Sequence, residues 1–251
     1  MASPWVAVTA AEYEEHMGPD GVGWAAPLSG IFRQVYRTFQ PGRLLVPGCG
    51  PGGGLEHVDP GVTCRAVGID LNIQYVTMAR QRYRKLGASL EIYCADALRA
   101  RLQPAADFDL IHVALLFEHV EASELAREIA GWLAPGGTCA VVLQRPGPAA
   151  PGASAAGEAL RRVAAEMRPV APGELARLLE AQGLRRAGSW EVPAAGGVRF
   201  HVGLFRAPAA PARRAEPGAA AAAVGTGRDA AAGVYWVHVS GLKGAKLVHL
   251  P

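Results

Sequence analysis

The stretch LLVPGCGPGGG, residues 44–54, contains five glycines and two prolines directly after a short apolar run. Glycine tolerates positive φ and lets backbone N–H groups approach a bound molecule without interference from a Cβ atom. A strand that runs into such a loop, followed by a helix, therefore predicts a place where a ligand is held. Gly48, Gly50 and Gly53 have the spacing G-x-G-x-x-G, which is weak evidence when it stands alone.

Further strand-like segments follow this first one along the chain. They contain much Val, Ile and Leu and little polar alternation, as expected of strands that are covered on both faces. Because helical patterns separate them, right-handed crossovers and a doubly wound parallel sheet are expected. The five predicted strands are 43–47, 64–69, 90–94, 109–114 and 138–143.

The helical patterns and the last two strands complete the predicted fold. One helix is predicted at 72–87, with Gly87 as its C-terminal stop, and its apolar positions are Ile73, Val76, Ala79 and Tyr83. Strand-like segments on either side of a Gly-Gly turn predict an antiparallel hairpin at the sheet edge. We therefore predict an α/β fold: a doubly wound, mostly parallel seven-stranded sheet, Rossmann-like, with a C-terminal antiparallel hairpin. The other helices are predicted at 123–133 and 173–183, and the hairpin strands at 184–193 and 198–207.

Composition divides the chain near residue 206. Residues 1–206 contain 20 Lys and Arg and 20 Asp and Glu, so the formal charge of +3 comes from the rest of the chain. A domain balanced in this way has no electrostatic footprint for nucleic acid, and we expect a small-molecule partner. We predict one domain over 1–206, with an N-terminal lid helix at about 1–36. The Ala- and Pro-rich residues 207–251 are predicted to form a linker or a disordered tail.

Location and redox state are also predicted from composition. No apolar run approaches the roughly 20 residues that cross a bilayer, and the N-terminus lacks the basic start of a secretory signal. We expect a cytoplasmic protein without a membrane partner; its oligomeric state is not predicted. The four cysteines are dispersed among apolar residues, which favours reduced, buried thiols; they are Cys49, Cys64, Cys94 and Cys139.

Two carboxylates follow the second and third predicted strands. Asp70 ends GID, 22 residues after Gly48, where an acid can accept hydrogen bonds from both hydroxyls of an adenosine ribose. It can also cap the helix that begins near Asn72, and the two roles are compatible. Asp96, in EIYCADAL, lies at the same edge of the sheet and can accept from an adenine amino group.

The glycine loop, Asp70, Asp96 and the WLAPGG turn before the fifth strand resemble the class I S-adenosylmethionine-dependent methyltransferases, in particular the small-molecule type 11 group. The resemblance covers about residues 5–206. It implies S-adenosylmethionine as cofactor and methyl transfer to an oxygen, nitrogen or carbon nucleophile of a small molecule. It also implies cofactor-binding roles by position. These fall on Gly48, Cys49, Gly50 and Gly52 at the methionine moiety, Asp70 at the ribose, Leu71, Asp96 and Ala97 at the adenine, and His112 and Tyr13 nearby.

One position departs from the pattern of this family. Val46 stands where the family has an acidic residue, as in L-D-x-G-C-G, that helps to hold the amino end of the cofactor. Its absence leaves three possibilities open: weaker binding, a substitute contact or a changed ligand. Trp5, Tyr13 and His16 are candidates for a lid over the cofactor, where an aromatic face would attract a cationic methyl donor, or for simple packing on the sheet.

The segment FEHVE after the fourth strand offers candidates for a catalytic base. His119 is the first choice because the unperturbed pKa of histidine lies near neutrality, and His112 is the second. His119 can equally cap the next helix, and Glu118 and Glu121 flank it. No H-x-x-x-H or H-E-x-x-H spacing is present, so no metal is expected.

Two other functions remain open. A nicotinamide-dependent oxidoreductase shares the glycine loop and Asp70, although the chain has no Tyr-x-x-x-Lys pair and no second substrate domain. A non-catalytic protein that keeps the fold is supported by Val46 alone.

Overall fold

Seven strands form one twisted sheet at the centre of the molecule. The computed structural model describes residues 3–103, 106–145 and 157–210, and the backbone of two short strands beyond them. The sheet order is β3-β2-β1-β4-β5-β7-β6, parallel from β3 to β5 and antiparallel where β7 pairs with β5 and β6. The strands are β1 (Arg43–Pro47), β2 (Arg65–Asp70), β3 (Leu90–Cys94), β4 (Phe108–Ala114), β5 (Leu133–Arg145), β6 (Arg185–Pro193) and β7 (Arg199–Arg206).

Helices cover both faces of the sheet, so the predicted doubly wound fold with a terminal antiparallel hairpin is confirmed. One face packs against α2 and α3, and the opposite face packs against α4 and α6. The strand order reverses between β1 and β4, and in sheets of this kind that point leaves a crevice beyond the carboxyl ends of the strands. The helices are α1 (Ala10–Met17), α2 (Ala25–Phe39), α3 (Ile73–Arg82), α4 (Ala122–Trp132), α5 (Glu158–Glu166) and α6 (Pro172–Ala181).

The N-terminal region differs from the single lid helix that we predicted at about 1–36. A short 3-10 turn, Pro4–Ala7, precedes two separate helices, α1 and α2, because the glycines between residues 18 and 23 interrupt the helical hydrogen bonding. The side-chain Nδ2 of Asn72 donates to the carbonyl oxygens of Trp5 and Val8, at 2.9 and 2.8 Å. These bonds fasten the N-terminal region to the start of α3.

Helix α3 is shorter than predicted. It ends at Arg82, and Gly87, with φ of 58°, lies in a following 3-10 segment, Arg84–Ser89. Val76 and Ala79 are buried as expected, but Ile73 is not. Ile73 is 56% exposed, whereas Tyr75 is buried among Val8 and Ala10. The N-terminal region packs against this side of the helix, and this tertiary contact selects Tyr75 in place of Ile73.

The four cysteines are free thiols, but they are not all buried. Cys49 and Cys139 lie in the interior, as expected. The prediction is wrong for Cys64, which precedes β2, and for Cys94, which ends the edge strand β3.

Two further strands, β8 (Gly225–Asp229) and β9 (Val234–His238), form an antiparallel pair of their own. The domain boundary near residue 206 and the linker or tail over 207–251 stay predictions. Among the described residues, no helix combines the length and the apolar content that crossing a bilayer requires.

Candidate functional site

The glycine loop leaves β1 with a backbone that only glycine adopts readily. Gly48 and Gly50 have φ of 67° and 55°, in the left-handed region. A Cβ atom at Gly48 would lie 3.2 Å from Cδ1 of Leu116, and one at Gly50 would lie 3.5 Å from the hydroxyl oxygen of Tyr13. The backbone N–H of Cys49 donates to the carbonyl oxygen of Ile69 at 3.0 Å, which ties the loop to the end of β2.

Asp70 faces this loop from the tip of β2, where the sequence predicted a carboxylate. Its Oδ2 accepts from the backbone N–H of Gly50 at 2.8 Å, and its Oδ1 accepts from the N–H of Asn72 at 2.9 Å. Burial raises the pKa of Asp70, and the two backbone hydrogen bonds partly offset this effect. A carboxylate oxygen has more than one lone pair, so each oxygen can still accept from a ligand hydroxyl.

A cavity of about 930 Å³ opens over the carboxyl ends of the strands. This volume lies at the upper end of the range for small-molecule sites. The part of the lining formed by the glycine loop and the residues around it, which we call the donor end, comprises Tyr13, Gly48, Cys49, Gly50, Asp70, Leu71 and Ala97. The lining also includes Leu115, Leu116, Glu118, His119, Gln144, Leu160, Val163, Ala164 and Met167.

Aromatic side chains of the N-terminal region form one wall of the cavity. The ring of Tyr13 lies 5.1 Å from that of Tyr75 and 6.1 Å from that of Trp5, between centroids. Trp5 in turn meets His119 edge-on at 5.1 Å. Trp5, Tyr13 and His16 all line the cavity, so the predicted lid residues lie where a lid would have to be. Their proposed contact with a cofactor stays a prediction.

Most of the predicted cofactor-binding residues are brought together at this cavity, but two are not part of its lining. Gly52 has φ of 91°, and a Cβ atom there would lie 2.5 Å from Cε2 of Tyr83, so this glycine packs against α3. The Asp96 carboxylate accepts from the N–H of Leu98 at 2.9 Å and lies 3.6 Å from Nε of Arg99. Ala95 and Ala97, on either side of Asp96, do line the cavity.

The two candidate histidines both line the cavity, in neutral surroundings. His112 is fully buried in β4, packs edge-on against Phe32 at 4.9 Å, and its Nδ1 has no hydrogen-bond partner among the described residues. Burial lowers the pKa of His112 and of His119 to about 4. Both imidazoles are therefore uncharged at pH 7. In the parallel pair of β1 and β4, Leu45 is opposite Ile111. Val46, the next residue of β1, therefore lies beside His112.

Glu118 belongs to the FEHVE segment, in which His119 was the first choice for a base. Its side chain is buried, with Oε1 accepting from the backbone N–H of Gln144 at 2.8 Å. Its Oε2 has no partner among the residues that the structure describes. Burial raises the pKa of Glu118 to about 7. The FEHVE segment includes Glu118, but burial depends on the tertiary fold and leaves no local signal in the sequence.

Within the described ranges, no cluster of three or more metal-ligating side chains is present. The glycine cradle and the carboxylate at the tip of β2 instead form a site whose shape suits a nucleoside-bearing ligand.

Comparison with known proteins gives a family match for part of this chain. Residues 45–141 match the family model described as the methyltransferase domain. Phosphoethanolamine N-methyltransferase 1 of Arabidopsis thaliana is 32% identical over 102 residues, which cover 40% of this chain and 21% of that protein. The matched part thus spans about a fifth of the length of that relative.

Solved structures share the fold at low sequence identity. N-methyltransferase NodS from Bradyrhizobium japonicum WM9, in complex with S-adenosyl-L-homocysteine, superposes with a TM-score of 0.59 at 19% identity, covering 80% of this chain and 99% of that chain. The [4+2]-cyclase SpnF superposes with a TM-score of 0.58 at 20% identity, covering 73% and 81%. The match over residues 45–141 and the shared fold are consistent with a class I methyltransferase domain.

Proposed function

We propose that the protein is an S-adenosylmethionine-dependent methyltransferase that acts on a small molecule. The observation that carries this proposal is the position of Asp70, which faces the glycine loop from the wall of the cavity. The match of residues 45–141 to the methyltransferase domain supports it. The nucleophile of the substrate is an oxygen, a nitrogen or a carbon atom.

The donor end has the groups needed to hold a nucleoside and its amino-acid arm. Asp70 accepts from the ribose hydroxyls, and Leu71 and Ala97 pack against the adenine; Asp96, outside the cavity lining, is engaged with Leu98 and Arg99. The backbone of Gly48, Cys49 and Gly50 lines the methionine arm, with Gly52 holding the loop against α3. When bound, this cofactor supplies a sulfonium methyl group whose carbon–sulfur bond breaks as the methyl is transferred.

The chain itself contributes alignment and the exclusion of water, which together account for much of the rate of a bimolecular displacement. Trp5 and Tyr13 line the cavity in which the reaction takes place. His119 and His112, which line the same cavity, are the predicted catalytic groups. Because each has a pKa of about 4, they act better as neutral hydrogen-bonding groups than as strong bases at pH 7.

A second function rests on a specific observation and is kept as an alternative. The [4+2]-cyclase SpnF has the same fold, so the fold alone does not require methyl transfer. Val46, in the place of an acidic residue, favours a protein that keeps the fold and has changed its chemistry. A nicotinamide-dependent oxidoreductase gains no support from the family match.

The proposal is tested by the binding of S-adenosyl-L-homocysteine and of NADH, measured by calorimetry on the native protein and two variants. Asp70→Ala should weaken S-adenosyl-L-homocysteine binding by about 1–3 kcal/mol, because the ribose hydroxyls lose their acceptor. Asp59→Ala is the matched control, since Asp59 also accepts a backbone N–H, from Gly61 at 2.8 Å, but lies outside the lining of the cavity. An affinity that Asp70→Ala leaves unchanged, or tight binding of NADH, would contradict the proposal.

A further inference from the structure

The charged side chains around the cavity are mostly of one sign. Its described lining contains six carboxylates and a single Lys or Arg side chain, that of Arg82. If Glu118, whose pKa burial raises to about 7, is left out, five carboxylates still accompany one guanidinium. The described wall of the cavity is therefore acidic. The carboxylates are Glu12, Glu14, Glu15, Asp20, Asp70 and Glu118.

The three histidines of the described lining do not offset this charge. Burial lowers the pKa of His112 and of His119 to about 4, and it lowers the pKa of His16 as well. A histidine whose pKa lies below its ordinary value of about 6.5 is mostly neutral at pH 7. At this pH the positive charge of the described lining comes from Arg82.

Arg82 is already engaged by neighbouring groups. Its Nη2 lies 2.5 Å from Oε1 of Glu14, and its Nη1 lies 3.3 Å from the carbonyl oxygen of Pro51. An anion in the cavity would have to compete with Glu14 for this guanidinium. The sequence of residues 146–156, PGPAAPGASAA, contains no Lys or Arg. An anionic substrate, such as a phosphate ester, thus lacks the cationic partner that it needs to leave water.

Two of the carboxylates, Glu15 and Asp20, lie where the cavity meets solvent. Both line the cavity, both are exposed, and neither has a partner among the described residues. Glu15 is in the last turn of α1, and the turn that contains Asp20 folds back onto this helix end, where the N–H of Val22 donates to the carbonyl oxygen of His16 at 2.7 Å. The carboxyl end of a helix also has a partial negative charge. Charges of one sign therefore add up at this edge of the cavity.

Much of the remaining lining is apolar or aromatic. A site of this composition binds an apolar body and recognises it through a few polar groups. The rings of Trp5 and Tyr13 line the same cavity, and the faces of such rings attract cations. The apolar lining residues include Val22, Leu28, Leu115, Leu116, Leu160, Val163 and Met167.

We propose that the substrate of this cavity is an apolar molecule with a positively charged amine, that carboxylates and phosphate esters are excluded, and that Glu15 and Asp20 set this preference. The inference rests on the proposed methyl transfer and names the chemical class of its substrate. A cleft lined by charges of one sign raises the local concentration of ions of the opposite sign by about ten- to a thousandfold. An ion of the same sign is repelled. Glu15 and Asp20 are thus residues that determine specificity.

The test compares two probes of similar shape and opposite charge, phenethylamine and 3-phenylpropionate. Calorimetry measures their binding to protein that is saturated with S-adenosyl-L-homocysteine. At low salt the amine should bind at least about tenfold more tightly than the carboxylate. The double variant Glu15→Gln/Asp20→Asn should reduce this ratio at least about threefold, because it removes two of the charges that create the preference. Equal binding of the two probes, tighter binding of the carboxylate, or no binding of either probe would overturn the inference.

The double variant Glu174→Gln/Glu180→Gln is the matched control. Both of its carboxylates are exposed on α6 and lie outside the described lining of the cavity, and it changes the net charge of the protein by the same amount. It should keep the native ratio of the two affinities. A ratio that falls equally in both double variants would come from the overall charge of the protein, and the role of Glu15 and Asp20 would be overturned. A ratio that Glu15→Gln/Asp20→Asn leaves unchanged would overturn it too.

Salt provides a second measurement on the native protein. The field of exposed charges reaches about 10 Å at 0.1 M salt and about 3 Å at 1 M, so the preference for the amine should shrink as salt is added. A preference that stays constant over this range would overturn the role of the exposed carboxylates. If the native protein fails to bind S-adenosyl-L-homocysteine, the proposed function and this inference both fail. If that binding is intact but the amine is not preferred, only the inference fails.

Discussion

Gly52 and Gly53 are neighbours in the glycine loop, but a side chain would meet different surroundings at the two positions. At Gly52, φ is 91° and a Cβ atom would lie 2.5 Å from Cε2 of Tyr83 and 3.3 Å from Cβ of Ala79. At Gly53, which lines the cavity, nothing lies within 4 Å and φ is outside the left-handed region. Gly52 is therefore required by the packing of the loop on α3. At Gly53, neither the available space nor the backbone conformation requires a glycine.

Gly52→Ala should lower the free energy of unfolding by about 1–3 kcal/mol, because it places an L residue in a strained backbone region and against a ring. Gly53→Ala, the matched control, should change it by no more than about 0.5 kcal/mol. Urea unfolding of both variants measures the difference. Equal stability of the two variants would show that the contact between the loop and Tyr83 is not as close as described.

The N-terminal region depends on one buried side chain of α3. Asn72 is 1% exposed, donates to the carbonyl oxygens of Trp5 and Val8, and accepts from the N–H of Gln74 through Oδ1. It therefore caps α3 and holds the aromatic wall in place at the same time. The N-terminal region, which lines the cavity, is thus coupled to helix α3, which follows Asp70.

Asn72→Asp should keep the cap and release the N-terminal region. An aspartate retains the oxygen that accepts from Gln74 but loses both donor hydrogens, and two hydrogen bonds contribute about 2 kcal/mol in total. Amide hydrogen exchange should become faster over 5–13, and the affinity for S-adenosyl-L-homocysteine should fall.

Thr77→Val is the control for this variant on the same helix. It removes the exposed bond from Oγ1 of Thr77 to the carbonyl oxygen of Ile73 and does not touch the N-terminal region. Exchange over 5–13 that stays slow in Asn72→Asp would argue that the side chain does not hold this region.

Some elements were predicted closely, because short-range patterns in the sequence determine them. Strands β1 and β3 occupy the predicted residues, because short apolar runs bounded by turns indicate buried parallel strands. The break between α1 and α2 was missed, although glycines mark it in the sequence. The burial of Tyr75 in place of Ile73 was missed because the packing of the N-terminal region decides it. The place of Asp70 beside the glycine loop was predicted from its distance to that loop in the sequence. The burial of Glu118 was not, because burial depends on the tertiary fold and is not a local property.

Across the molecule, the buried titratable groups of the cavity wall respond to pH in opposite directions. His112 and His119 have a pKa lowered from 6.5 to about 4, so their contribution to stability is complete above pH 6.5 and is lost as the pH falls through 4. Glu118 has a pKa raised from 4.5 to about 7. Its contribution is complete below pH 4.5 and is lost as the pH rises through 7. Between these limits the two effects oppose each other.

Glu118→Gln should remove the contribution of Glu118 to this pH dependence. The loss of stability that Glu118 causes between pH 4.5 and pH 7 amounts to up to about 3 kcal/mol, since each pH unit of pKa change corresponds to about 1.4 kcal/mol. The free energy of unfolding should therefore rise with pH more steeply in Glu118→Gln than in the native protein. It is measured with urea at pH 4.5, 5.5 and 7, roughly the window that these pKa values define. Glu121→Gln, with its exposed carboxylate, should follow the native curve. If the free energy of unfolding changed with pH equally in all three proteins, Glu118 would be ionised throughout this range. Its oxygen would then be solvated or paired in solution.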